Sequence, residues 1–292
     1  MTADATIGLL HPGEMGSLVG AAARAGGARV VWASEGRGRE TRERAAAARL
    51  EDAGSLAALI ARSELILSVC PPHAAMDVAR AVTAHRFAGI YVDANAVAPA
   101  TAREIASVVE AGGATFVDGG IVGPPPRRPG TTRLYLAGQA AARVAALFAG
   151  GPLEAIVLDA PPGGASALKM AYASWTKGTG ALLLAIRALA LSEGVDRALL
   201  AEWERSHPDL PARAEAAVGR NARKAWRFVG EMEEIAATFA GAGLPDGFAR
   251  AAAQIYQRMA RYKDTPPPSV AEVAEMLVKE PALPDVEPGA RP

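Results

Sequence analysis

Thr6-Ile7-Gly8-Leu9-Leu10-His11-Pro12-Gly13-Glu14-Met15-Gly16 is the stretch whose reading decides the fold. Residues 5–10 have the length and apolar content of a buried strand, and residues 16–25 have helical spacing. A glycine turn joins them. A strand that breaks into such a turn and then a helix presents backbone N–H groups at a helix N-terminus, where a diphosphate is readily held. Gly13 would let the backbone approach the anion, and Gly16 would let the helix pack on the strand. The pattern G-x-G-x-x-G is incomplete, because His11 stands where its first glycine belongs. Its position ahead of repeated strand and helix segments favours the dinucleotide reading over an ordinary turn that binds nothing.

Outward from this turn the alternation recurs. Strands are predicted at 29–33, 65–70, 90–94, 115–118, 134–137 and 155–158, with helices at 40–50, 74–84 and 99–111. Strands separated by helices need crossover connections, so the expected class is α/β, with an N-terminal Rossmann-type, doubly wound, mainly parallel sheet. After about Pro162 no β-rich run survives. Residues 164–193 form one long helical pattern, followed by others at 197–206, 212–240, 248–263 and 269–279. The expected domains are a nucleotide-binding unit at 1–162 and an all-α C-terminal unit at 163–280, with a proline-rich tail at 281–292.

Composition narrows the function. Of 292 residues, 31 are Lys or Arg and 31 are Asp or Glu, so no net charge draws the chain to nucleic acid or an anionic membrane. One cysteine, Cys70, and four histidines offer neither an internal disulfide nor a metal-ligand spacing. The N-terminus lacks the basic start and long apolar stretch of a signal peptide. The longest apolar run, 181–191, is interrupted by Arg187 and too short to span a bilayer. A soluble, cytoplasmic protein without metal, acting on a small molecule, is expected.

The end of the second strand bears on the choice between NAD and NADP. An acidic side chain there suits the ribose hydroxyls, whereas a 2′-phosphate needs donors and positive charge. Ser34, Arg37 and Arg39 can furnish a hydroxyl and two guanidiniums, the shape that phosphate favours. Glu35 argues for NAD, and two solvated loop arginines are the plainer alternative. NADP is favoured, with NAD as the other possibility.

Gly8-x-x-x-x-Gly13-x-Met15-Gly16 resembles the opening motif of the β-hydroxyacid and 6-phosphogluconate dehydrogenases. Further segments follow in the family's order: Val69-Cys70-Pro71-Pro72, Asp93-Ala94-Asn95, Asp118-Gly119-Gly120-Ile121-Val122-Gly123, Gly130-Thr131 and Gly164-x-x-x-x-Lys169. Lys169–Thr176 and Gly230-Glu231-Met232-Glu233-Glu234 are similar to the branch whose C-terminal domain is a domain of unknown function, DUF1932. The resemblance spans about Ile7 to Lys263.

It implies an NAD(P)-dependent oxidoreductase acting between a hydroxyl and a carbonyl group, and a homodimer. Lys169 matches the lysine that shuttles the proton, and its small apolar neighbours make the needed desolvation plausible. Lys177, two turns on, is the rival. His11, Pro12, Gly13, Glu14, Met15, Cys70, Pro71, Pro72 and Asn95 would line the cofactor. Asn95, Gly119, Gly120, Val122, Gly123 and Tyr172 would meet the substrate. The family's serine is replaced by Asn95, its asparagine after the lysine by Tyr172 or Ala173, and its Ser-Gly-Gly by Val122-Gly123-Pro124. These departures point away from the usual small β-hydroxyacids. Arg127 and Arg128 could anchor an anionic substrate, His73 could neighbour the nicotinamide, and Trp175, Trp226 and Met232 could form an apolar wall. For each, a surface or core role is the plainer reading. Two alternatives stand beside the leading one: an imine reductase, against which Lys169 argues, and a nucleotide-binding regulatory protein without turnover.

Overall fold

A computed structural model describes residues 5–279; the expected tail at 281–292 lies outside them. The chain packs as two compact units, the first ending at Tyr172 and the second beginning at Ala173.

In the first unit, β1 (Thr6–Leu10), β2 (Arg29–Trp32), β3 (Glu51–Asp52), β4 (Leu65–Ser68), β5 (Ile90–Asp93), β6 (Thr115–Val122), β7 (Thr132–Ala137) and β8 (Leu153–Val157) form one sheet. Their order is β3-β2-β1-β4-β5-β6-β7-β8, and every neighbouring pair is parallel except β6 with β7. The sheet is doubly wound and mainly parallel, as the strand–helix alternation predicts.

The alternation of side chains explains why both faces are covered. Ile7, Leu9, Val30, Leu65, Leu67 and Val92 enter one core with α1 (Glu14–Ala25). Leu10, Val31, Ile66, Tyr91 and Phe116 enter the other, with α3 (Leu56–Arg62), α4 (Ala75–Ala84) and α5 (Pro99–Ala111). The short elements β3 and α3 escape sequence reading. β3 is two acidic edge residues, whereas α3 begins with a cap in which Ser55 Oγ accepts the Ala58 N–H at 3.2 Å.

The long helical pattern at 164–193 is broken. After the short helix α6 (Ala141–Ala145), α7 (Gly164–Ala173) lies in the first unit except for its last residue, and a π-helical turn (Ser174–Gly178) precedes α8 (Thr179–Ser192) in the second. There α9 (Asp196–Ser206), α10 (Leu210–Asn221), α11 (Ala225–Gly241), α12 (Gly247–Met259) and α13 (Val270–Lys279) follow. The predicted helix at 212–240 is interrupted at Ala222–Lys224, next to Gly219 and Asn221, both weak helix formers. Arg187, the charge inside the apolar run, is 6 % exposed and satisfied by a two-pronged pair with Asp196 at 2.5 and 3.0 Å. No helix among the described residues is long and apolar enough to cross a membrane.

Candidate functional site

β1 and β4 are neighbours, with Leu10 opposite Ser68. The chain leaves β1 toward one face of the sheet and β4 toward the other, since α1 and α4 sit in opposite cores. This is the switch point beyond whose strand ends doubly wound folds bind ligands. His11 and Cys70 lie at its mouth.

The turn after β1 is tight. Gly13 N–H donates to the His11 carbonyl at 2.7 Å, and a Cβ on Gly16 would run into the same oxygen. Pro12 is buried, Met15 packs on the core and Glu14 is exposed, while nothing lies within 4 Å of where a Gly13 side chain would begin. His11 adopts φ +66°, a region glycine enters without strain, and its buried Nδ1 has no partner among the described residues. Burial first, and then the Arg37 charge, holds its imidazole down to about 4. A backbone cradle that a Cβ would fill, open space over Gly13 and an orphaned polar atom are features that fit a dinucleotide's phosphates. Gly16→Ala is expected to weaken nucleotide binding at least about tenfold, because the turn must widen to admit a methyl group; calorimetric titration measures it.

At the end of β2 the three candidates part company. Arg37 lies near enough to act electrostatically on both His11 and Cys70. Ser34 is 7 % exposed, and its hydroxyl is spent on the Asp52 carboxylate. Arg39 is solvent-exposed and paired with Glu43 at 2.8 Å. Arg42, on the helix Arg39–Ala47 (α2), donates to the carbonyls of Arg37 at 3.1 Å and Ser34 at 2.9 Å, which ties down the loop that carries Arg37. Nothing in the sequence motif singles Arg42 out.

A buried polar row crosses the strand ends, with Ser68 opposite Asp93 and Asp93 opposite Asp118. Asn95 is its hub. Its Oδ1 accepts the Cys70 N–H at 2.5 Å, and its Nδ2 donates to Ser68 Oγ at 3.1 Å and Asp93 Oδ2 at 3.0 Å. Both N–H groups of the amide are therefore committed within the protein, which leaves Oδ1's second lone pair for a ligand. Burial pushes the Cys70 thiol up to about 11, so it is no nucleophile at neutral pH.

Burial also pushes Asp93 up to about 7, against the hydrogen bonds from Asn95 and with help from Asp118. The linkage of Asp93 and His11 has opposite signs. Native Asp93 retains a proton that the unfolded chain has lost, so its contribution is present below about pH 4 and vanishes as the pH rises through about 7. Native His11 refuses a proton that the unfolded chain accepts, so its contribution is present above about pH 6.5 and vanishes as the pH falls through about 4. The two slopes oppose each other between those values. His11→Asn is expected to make the stability–pH curve rise more toward acid, and Asp93→Asn to make it fall more; urea titrations from pH 4 to 7 measure both.

β6 outruns β5. Its Gly119–Val122 stretch pairs with β7 but lies past the last partner on β5. The structure thus places Gly119 and Gly120 within a strand rather than a loop, with Gly123 just beyond it and Val122 buried. α7 crosses at Gly120, where a Cβ would stand 2.6 Å from the Ala165 carbonyl oxygen and 3.2 Å from Lys169 Cβ. Lys169 is half-buried there. Asp118, 0 % exposed, fixes the start of the same helix: it accepts the Gly163 N–H at 2.9 Å, the Ser166 N–H at 3.0 Å and the Ser166 hydroxyl at 2.6 Å. Sequence reasoning took Asp118 only as part of a motif; its place directly before the glycines that admit α7 was the available signal.

Lys177 is differently placed. It sits in the π-helical turn of the second unit, paired with Glu231 at 2.6 Å and 5.1 Å from the Phe228 ring centroid. Tyr256 donates to its carbonyl at 2.7 Å. Tyr172 is 48 % exposed at the end of the first unit, His73, Pro71, Arg127 and Arg128 are exposed, Pro72 is half-buried, and Met232 is core. No group of three or more His, Cys, Asp or Glu among the described residues could hold a metal ion.

The family model described as a domain of unknown function, DUF1932, matches residues 190–259. The solved structure of the conserved protein MTH1747, whose function is unknown and which was reported as structurally similar to 3-hydroxyacid dehydrogenases, superposes with a TM-score of 0.67 and 28 % identity. That superposition covers 88 % of this chain and 98 % of the other. The chain is thus similar to DUF1932 proteins over residues 190–259 and shares the fold of MTH1747 over most of its length. The DUF1932 match runs from the end of α8 through α12. An uncharacterized 28.5 kDa protein of Methanothermus fervidus is 32 % identical over 143 residues, which are 49 % of this chain and 54 % of that relative's length. The 3-hydroxyisobutyrate dehydrogenase of Mycobacterium tuberculosis shares the fold, with a TM-score of 0.67 at 18 % identity over 94 % of this chain and 99 % of the other.

Proposed function

We propose that this protein is an NADP-dependent oxidoreductase that interconverts a hydroxyl and a carbonyl group on a small molecule. The observation that carries the reading is the tight glycine turn at the β1/β4 switch point, with the Arg37 charge near enough to act on His11 and Cys70. His11 to Met15 would cradle the diphosphate, and Arg37 would meet the 2′-phosphate, braced by Arg42. Cys70, Pro71 and Pro72 would border the nicotinamide end. When bound, the nicotinamide supplies or takes the hydride. Lys169, anchored over Gly120, would give or take the proton at the substrate oxygen and steady negative charge there. Asn95 would act chiefly by bracing the Cys70 loop. The β5-facing backbone of Gly119 to Gly123 would orient the substrate, with Tyr172 at its rim. Ser34 and Arg39, whose groups are already engaged, contribute less to the NADP reading than Arg37 does.

Calorimetric titration with both redox forms of NAD and NADP tests the reading. The NADP pair should bind at least about tenfold more tightly, and Arg37→Ala should erase most of that preference. Silence with all four nucleotides would remove it.

The homodimer belongs to the same proposal. In the second unit Trp175, Leu182 and Phe248 are 63 %, 56 % and 85 % exposed, and they line one open apolar groove of about 380 Å³ with Met232 and Phe239. Leu189, seven residues after Leu182 on the same helix, is 63 % exposed and extends the stripe. A second copy would cover it. Sedimentation should show twice the chain mass, and Leu182→Glu should shift the protein toward monomer; a monomeric wild type at micromolar concentration would contradict this.

A further inference from the structure

We propose that Asp93 is a positioning residue: its carboxylate fixes which way the Asn95 amide points, so that Oδ1 rather than the amino group meets the loop at 69–72. The effect on a ligand rests on the nucleotide-binding reading above, whereas the orientation itself does not. Ser68, Asp93 and Asn95 are all buried, so their donors and acceptors must be matched within the protein. An amide turned over by half a rotation keeps its shape, and only its neighbours decide which end carries the oxygen. Three groups hydrogen-bond the Asn95 side chain among the described residues: Ser68 Oγ, Asp93 Oδ2 and the Cys70 N–H. The hydroxyl can accept or donate, so it selects neither orientation. The carboxylate can only accept, and it sits at the end of β5 with both oxygens in use. Oδ1 takes the Asn95 backbone N–H at 3.0 Å, and Oδ2 takes the Nδ2–H at 3.0 Å. The amino group is thereby drawn to Asp93, and Asn95 Oδ1 is left facing the Cys70 N–H, 25 residues away in the chain.

Asp93→Asn breaks this arrangement with little change of shape. Whichever way the new amide turns, its amino group meets a donor, either the Asn95 N–H or the Asn95 amino group. Turning Asn95 over relieves the second clash only by setting its amino group against the Cys70 N–H. The double variant Asp93→Asn/Asn95→Asp restores the matches with one buried carboxylate, as before. The new amide accepts the backbone N–H of residue 95 and donates to the new carboxylate, whose other oxygen accepts the Cys70 N–H. Ser68 then donates where it had accepted.

Cys70 is the chain's one cysteine, so its alkylation by iodoacetamide reads the loop with no nucleotide present. The reaction is run at pH 8, above the value of about 7 to which burial raises Asp93. Asp93→Asn should speed alkylation about tenfold, as when a buried donor loses its acceptor, and the double variant should return it to within about threefold of wild type. Leu59→Ala, a truncation in the core beside α3, shows the rise that lost stability alone produces for a given fall in melting temperature. NADP⁺ and adenosine 2′,5′-bisphosphate, which lacks the nicotinamide, are then titrated into each protein. Asp93→Asn should lose about tenfold toward NADP⁺ and less than about threefold toward the bisphosphate, and the double variant should recover the loss. Alkylation of Asp93→Asn no faster than its fall in melting temperature accounts for overturns the inference. So does a double variant that labels as fast as Asp93→Asn, or an equal loss of affinity toward both ligands. If Asp93→Asn does not fold, the double variant should still fold and shield Cys70, and its failure to do so overturns the inference. If Cys70 responds as expected but the wild type binds no nucleotide, the proposed function falls and the orienting role of Asp93 stands.

Discussion

Replacing Lys169 by methionine is expected to lower turnover about 100- to 10,000-fold, the range for loss of a positioned acid–base group, while nucleotide affinity stays within about twofold. Methionine keeps the Cβ that lies against Gly120 and an unbranched apolar stem, with sulfur in place of one methylene, and lacks the amine. The packing of α7 on β6 should survive, so a fall in rate without a fall in binding isolates the proton-handling role. Consumption of NADPH against a panel of carbonyl compounds first identifies a working substrate, and the variant is then compared on it. Unchanged turnover would refute the lysine assignment. A wild type that binds nucleotide but turns over nothing in either direction would instead favour the regulatory reading.

Asp118→Ala should destabilise the first unit by about 3–5 kcal/mol, as expected when several buried donors lose one shared acceptor. Gly163 N–H, Ser166 N–H and the Ser166 hydroxyl would all be stranded in a site that is 0 % exposed. For a unit of this size the melting temperature should fall on the order of 10 °C. Asp118→Asn keeps one oxygen to accept and should lose roughly half as much. Thermal unfolding of the two variants, read beside Ser166→Ala, checks the ranking. Near-wild-type stability of Asp118→Ala would mean that the helix start is held by something other than this carboxylate.

Much of the first unit was legible because its cues are local. An apolar run ending in a glycine turn, repeated strand and helix periods, and the loss of β-rich runs after Pro162 each depend on residues close together in the chain. The elements missed were those with weak local signals: the two acidic residues of β3 and the π-helical turn at Ser174–Gly178, which looks like uninterrupted helix in sequence. At the site, motif order named His11, Cys70, Asn95 and Lys169. It could not tell a side chain that faces a ligand from one already spent. Ser34 on Asp52, Arg39 on Glu43 and Lys177 on Glu231 are engaged by partners up to 54 residues away in the chain.

What the sequence determined by itself was therefore the class of fold, the position of the glycine turn after β1 and the set of residues from which a site could be built. These follow from propensity and periodicity, which act over a few residues. Tertiary structure alone decided which of that set converge. Parallel register brings Ser68, Asp93 and Asp118 into one row, Asp118 captures the start of α7 across 45 to 48 residues of chain, and Gly120 lets that helix settle where Lys169 lies. A hydrogen bond joins whatever the fold brings within about 3 Å, and that proximity is a property of packing that sequence spacing does not encode.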